Sequence, residues 1–188
     1  MCGICGFVGN QYSSQDPVAL GRMNRAILRR GPDDAGFYIG GQCLKDPLQA
    51  SLPERGLAVG LAMRRLSIID LEGGSQPMSD GRYWIVFNGE IYNFESERRT
   101  LQGLGYEFKT RSDTEVVLLA YRHYGPDCLS RLRGMFALAI WDTLEEELFL
   151  ARDHFGIKPL FYTQQSGRLI FGSEIKCLLR HPGVPRQL

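Results

Sequence analysis

The chain opens Met1-Cys2-Gly3-Ile4, and its second residue governs how the rest is read. A small second residue such as cysteine lets an aminopeptidase trim the initiator methionine. Cys2 then carries a thiol and a free α-amine on one residue. Thiols titrate near about 8.5 and α-amines near about 7.7–8.0, so close to neutrality the amine can take the thiol proton, directly or through a water. That is a nucleophile and its base in a single residue. Taken alone, a penultimate cysteine is most often chance, and the residues beyond it carry the weight.

Working outward, Gly3 to Val8 reads as a short apolar strand. Cys2 and Cys5 form a C-x-x-C, but an offset of three along a strand puts the two side chains on opposite faces. Their Cα atoms would stand ~10 Å apart if extended, beyond the ~7 Å that a disulfide spans. A zinc site needs two more ligands, and His123, His154 and His181 show no ligand spacing. No metal is expected. Five scattered cysteines (Cys2, Cys5, Cys43, Cys128, Cys177) do not make a disulfide framework.

Composition bounds the rest. At 188 residues the chain fills one domain, here 2–188, burying roughly 70% of its unfolded surface. A net charge of +1 leaves no basic field for nucleic acid. No apolar run approaches the ~20 residues needed to cross a bilayer, and no leader pattern opens the chain. A soluble cytoplasmic protein is the expectation.

The helical spacing of Leu20, Met23 and Ile27 predicts a helix over Pro17–Arg30 with Asp16 as its cap, broken by Arg30-Gly31-Pro32-Asp33-Asp34. Strands are expected at Gly36–Ile39, Leu57–Leu66 and Tyr83–Phe87, with a surface loop over Gly40–Gly56. Helices are expected near Phe94–Leu104 and Thr114–Tyr124. Met135–Asp142, Glu147–Arg152, Leu160–Gln164 and Arg168–Phe171 then read as an antiparallel meander, closed by a helix from Glu174 to Leu179. Strands without βαβ alternation, with helices in separate blocks, predict the α+β class.

A cysteine nucleophile acting on an amino-acid amide needs a carboxylate for the substrate ammonium, an arginine for its carboxylate, and donors for the oxyanion. Arg65 at a strand end offers a bidentate grip, Asp113 opens a helix, and Asn88-Gly89-Glu90 offers a side-chain amide and an unhindered backbone N–H. Each also has a plain structural meaning. Asn-Gly after a strand is commonly a hairpin turn, Ser112 and Glu115 suit a capping box, and an arginine at a strand end is usually solvated.

Met1-Cys2-Gly3-Ile4, Arg30-Gly31-Pro32-Asp33, Arg65-Leu66-Ser67-Ile68-Ile69-Asp70, Asn88-Gly89-Glu90-Ile91-Tyr92-Asn93 and Ser112-Asp113-Thr114-Glu115 occur in order. Together they resemble the signature of the class II glutamine amidotransferase domain, an N-terminal nucleophile hydrolase. Two further blocks, Arg152-Asp153-His154-Phe155-Gly156-Ile157-Lys158-Pro159-Leu160 and Phe171-Gly172-Ser173-Glu174-Ile175-Lys176, are similar to the glutamine-hydrolysing asparagine synthetase branch. The resemblance spans nearly the whole chain.

It implies a four-layer αββα sandwich of two antiparallel sheets. It implies that Cys2 attacks the side-chain amide of L-glutamine to give a thioester and ammonia, with its own α-amine as base. Asn88 and Gly89 would form the oxyanion hole. Arg65 would hold the α-carboxylate, with Leu66, Ser67, Ile68 and Ile69 lining the pocket, and Asp113 with Glu90 the α-ammonium. Departures are Cys5 where an aliphatic residue is usual, Arg29 and Met63 in place of histidines, and a longer stretch between Ile39 and Val59.

In that branch the ammonia feeds a C-terminal synthetase domain that amidates aspartate, and ATP and magnesium belong to that domain; no cofactor is expected in this one. Neither a Ser-Gly-Gly-x-Asp-Ser loop nor a P-loop occurs here, and His181-Pro182-Gly183-Val184-Pro185 resembles the linker into it. The chain therefore reads as part of a longer protein. The expected partners are L-glutamine and that synthetase domain, and a homodimer is compatible with the sequence. Two alternatives stay open on the sequence: the same glutaminase serving a sugar, peptide or other carboxylate acceptor, or a domain that binds glutamine without turnover.

Overall fold

β1 (Gly3–Gly9) is the axis of the molecule, paired on both sides. A computed structural model describes residues 2–66 and 74–185. On one side β1 runs antiparallel to β4 (Ala58–Arg65), with Gly3 opposite Arg64 and Gly9 opposite Ala58. On the other it meets β10 (Arg168–Gly172), with Cys5 opposite Gly172. Adding β2 (Asp34–Ile39), β3 (Gln42–Leu44) and β9 (Phe161–Gln165) gives a six-stranded antiparallel sheet in the order β3-β2-β4-β1-β10-β9. The second sheet holds β5 (Met78–Ser79), β6 (Tyr83–Ile91), β7 (Gly134–Asp142) and β8 (Glu147–Arg152), in that order.

Strand alternation divides the core. Ile4, Val59, Leu61, Met63 and Phe171 of the first sheet pack on Val86, Ala137, Ala139 and Trp141 of the second. The opposite face of the first sheet, with Cys5, Phe7, Phe37 and Ile170, receives Leu20, Met23 and Ile27 from α1 (Asp16–Ala26) and its exit turn. α4 (Ile175–Leu178) adds Cys177 and Leu178. The outer face of the second sheet, with Ile85, Phe87, Phe136 and Leu138, takes Val117 and Leu118 from α3 (Asp113–Tyr124). α2 (Phe94–Gly103) rests on α3 through Leu101. The layers are thus helix, sheet, sheet, helix: the α+β class read from the strand and helix blocks, in the four-layer sandwich that the resemblance implies.

Some expectations are corrected. The first helix stops at Ala26 and a 3-10 turn, Leu28–Arg30, carries the chain on. Asp16 does not cap it: its carboxylate accepts from Ser13 N (2.8 Å) and is gripped by Arg168 (2.6 Å). The expected loop at Gly40–Gly56 contains β3 and a 3-10 turn at Pro47–Gln49. The final strands form no single meander, because the chain crosses between sheets after Arg152, where Asp153 winds it into a turn. The tail is docked, with His181 buried against Phe7 at 5.4 Å between ring centroids. Among the described residues no helix is long and apolar enough to cross a membrane.

Candidate active site

Three strands deliver the site by parity alone. Cys2 shares the face of Ile4, Arg65 that of Met63 and Leu61, and Asn88 that of Val86 and Trp84, so all three side chains turn inward between the sheets. They meet at one open end, where a cavity of about 260 Å³ is lined by Cys2, Arg65, Leu66, Asn88, Gly89, Glu90 and Asp113. Gln76, Met135 and Lys158 also line it. Ser67, Ile68 and Ile69 lie outside the described residues.

Cys2 is held by its neighbours. Leu66 N donates toward Cys2 Sγ at 3.4 Å, and the thiol lies 3.8 Å from Leu66 O. Arg30 Nε donates to Cys2 O at 3.0 Å, and the same guanidinium reaches Glu174 at 3.3 Å. Ser173, fully buried, holds the strand just beyond the β1–β10 pairing: its hydroxyl accepts from Ile4 N (3.0 Å) and its backbone N–H donates to Ile4 O (2.9 Å). Gly31 lets this layer close: a Cβ there would stand 2.6 Å from the carbonyl carbon of Arg65. The Arg30-Gly31 and Ser173-Glu174 blocks therefore fix where Cys2 sits. Cys5 faces the opposite core beside Cys177, both as free thiols, and burial pushes the Cys5 thiol well up.

Asn88 and Gly89 are not a hairpin turn. They lie within β6, opposite Ala137 and Phe136. Phe136 exchanges its backbone bonds with Asp153 on the β8 side (N to Oδ2 3.1 Å, O from Asp153 N 2.7 Å), so the Gly89–Phe136 pair is a non-hydrogen-bonded one. The N–H groups of Phe87, Gly89 and Ile91 accordingly face away from β7. Phe87 N donates to Gln76 Oε1 (2.6 Å) and Ile91 N to Asp113 Oδ2 (3.1 Å). The Gly89 N–H lies between these two, facing the same edge. Gly89 lacks a side chain for packing rather than for ligand approach: a Cβ would strike Met135 O and sit 2.7 Å from Phe136 Cα. Asn88 is 1% exposed, and among the described residues its Nδ2 donates to nothing. A buried amide donor without an acceptor is costly.

Asp113 begins α3 behind the N-cap Ser112, whose hydroxyl accepts from Thr114 N (3.1 Å). The capping box is only half formed, since Glu115 instead accepts from Lys109 N and Thr110 N, each at 2.7 Å. Burial raises the Asp113 carboxyl above the ordinary range and the nearby Glu90 adds to it, against the N–H bonds from Ile91 and Thr114. Arg65 is 7% exposed rather than solvated. The lining role of Gln76, Met135 and Lys158 left no sign in local spacing. Gln76 ties the donor strand to α3, accepting from Phe87 N and donating to Thr114 Oγ1 at 3.1 Å.

Chemically, the cavity joins a sulfur, an unused amide donor, a backbone N–H, a guanidinium and a carboxylate that burial destabilises. Residues 1–188 match the family model described as glutamine amidotransferase domain. The chain is 44% identical over 185 residues to asparagine synthetase [glutamine-hydrolyzing] 1 of Bacillus subtilis, covering 94% of this chain and 27% of that protein. It is 39% identical to asparagine synthetase [glutamine-hydrolyzing] 3 of the same organism, covering 98% and 28%. It thus spans about a quarter of the length of these relatives. Its fold matches that of glutamine phosphoribosylpyrophosphate amidotransferase from B. subtilis, with a TM-score of 0.69 over 94% of this chain and 42% of that one, at 21% identity.

Proposed function

We propose that this chain, which belongs to the glutamine amidotransferase domain family, splits the side-chain amide of L-glutamine, giving glutamate and ammonia. Removal of Met1 frees the α-amine of Cys2. That amine takes the thiol proton, and Sγ adds to the amide carbon. The carbonyl electrons move onto oxygen, facing Asn88 Nδ2 and the Gly89 N–H. The oxygen lone pair then re-forms the carbonyl while the C–N bond breaks. The leaving nitrogen takes the proton and departs as ammonia, and water, activated by the same amine, releases glutamate from the thioester. Arg65 holds the α-carboxylate, with Leu66 beside it, and Asp113 with Glu90 holds the α-ammonium. No metal or cofactor takes part in this scheme.

The orphaned Asn88 donor on the same cavity as Cys2 carries this proposal, since an oxyanion would supply the acceptor it lacks. The ammonia passes to an ATP- and magnesium-dependent amidation of aspartate by the further synthetase domain of a longer protein. The names and lengths of the relatives support that acceptor. Glutamate release by the purified chain tests the scheme. Cys2→Ala abolishes it, and Asn88→Ala lowers kcat by about 10²–10³ with little change in KM. Release that survives in Cys2→Ala contradicts the proposal.

A further inference from the structure

Lys158 lines the same cavity and is 6% exposed. Among the described residues its ammonium has no ion pair and no hydrogen bond, yet it is not one of the sealed orphan atoms. A buried cation without a partner is costly, and a methionine of the same length would fill the space without that cost.

The backbone around it is tightly fixed. The Asp153 carboxylate accepts from the N–H groups of Phe136 (3.1 Å), Phe155 (3.1 Å), Ile157 (2.9 Å) and Lys158 (3.0 Å). Pro159 comes directly after, with its φ locked. Phe136 is the register partner of Gly89. Lys158 is therefore anchored to the wall that carries Gly89 and Met135, whereas Arg65 stands across the cavity on β4.

The charges of a glutamine zwitterion are already matched by Arg65 and by Asp113 with Glu90. Lys158 is left over, lining the cavity together with Asn88 and Gly89, the groups that face the developing negative charge in the proposed scheme. We propose that the Lys158 ammonium is a third oxyanion-stabilising group, acting beside Asn88 and Gly89 on the tetrahedral intermediate. It interacts more strongly with that state than with bound glutamine, whose carbonyl is neutral, so its contribution falls on kcat.

This rests on the glutamine-hydrolysing function proposed above. The test uses the processed protein, Lys158→Met and Lys158→Arg. It measures steady-state hydrolysis, glutamine affinity by calorimetry in a Cys2→Ser background, and inhibition by the aldehyde analogue of glutamine, which adds Cys2 to form a tetrahedral adduct. Lys158→Met is expected to lower kcat by about 10- to 100-fold, to leave KM and glutamine affinity within about twofold, and to weaken the aldehyde by the same factor as kcat. Lys158→Arg restores most of the rate. An active native protein matched by Lys158→Met, or a variant losing glutamine and aldehyde equally, overturns the inference alone. A native protein that releases no glutamate overturns the hydrolase function and this inference together.

Discussion

Asp113 shows how one side chain can be made ready for a ligand. Its carboxyl is buried at the start of a helix, and burial raises it above the ordinary carboxylate range although the backbone N–H groups of Ile91, Thr114 and Asp113 itself pull it down. An incoming α-ammonium favours the charged form and reverses that shift. As pH falls through the raised value of the empty site, the carboxyl becomes neutral and its attraction for the ammonium is lost. KM for glutamine should therefore rise on acidification over a range above about 3.9, the ordinary aspartate value, while kcat at saturation changes less. Asp113→Asn should raise KM at neutral pH and flatten that limb of a KM-against-pH series. A KM that falls on acidification contradicts the assignment.

At the scale of elements, Asp153 does for a turn what pairing does for a strand. Burial acts to raise its carboxyl, but backbone donors from Lys158, Ile157, Phe136 and Phe155 outweigh that and hold it below the ordinary range. A depressed carboxyl contributes stability that is present above its unfolded value near about 3.9 and lost as pH falls through the folded one. Asp153→Asn, which gives up charge-assisted bonds, should lower stability by about 2–3 kcal/mol at neutral pH. The difference from native should shrink toward pH 3, as read by urea unfolding. A constant difference across that range would mean that the carboxylate charge plays no part.

The same turn marks where sequence pattern stops being informative. β1, β4, α3 and the halves of the sandwich core arise from local alternation and helical spacing, and so does the opposed placement of Cys2 and Cys5. Asn88-Gly89 misleads as a local signal because β7, the strand that absorbs it, lies far along the chain and pairing is a long-range event. The split of the last four strands between sheets depends on Asp153 collecting N–H groups from both sides of the crossing. The burial of Lys158 is a product of that turn, and Gln76 takes its place from contacts with β6 and α3. No residue spacing encodes either one. The resemblance in ordered blocks singles out Arg65, Asn88, Gly89 and Asp113, and the fold brings all four to one cavity with Cys2.

The whole molecule works as two sheets gripping one end of a chain. β1 is the centre of its sheet, Ser173 and Arg30 with Glu174 fix its first residues, and β6 brings the donors across the interior. Every other cysteine is placed apart from that cavity: burial pushes Cys128 up to about 12, Cys5 is sealed beside Cys177, and Cys43 sits exposed on the β2–β3 hairpin. In the proposed function a processed Cys2 is the nucleophile of a site that fits glutamine. Intact-mass and peptide mass spectrometry after treatment with a diazoketone analogue of glutamine probes that role at the sulfur itself. The expected result is loss of Met1, one adduct on the new N-terminal Cys2, protection by glutamine and loss of glutamate release in step with labelling. An adduct on Cys43 or elsewhere, or undiminished glutamate release from protein that retains Met1, would contradict it.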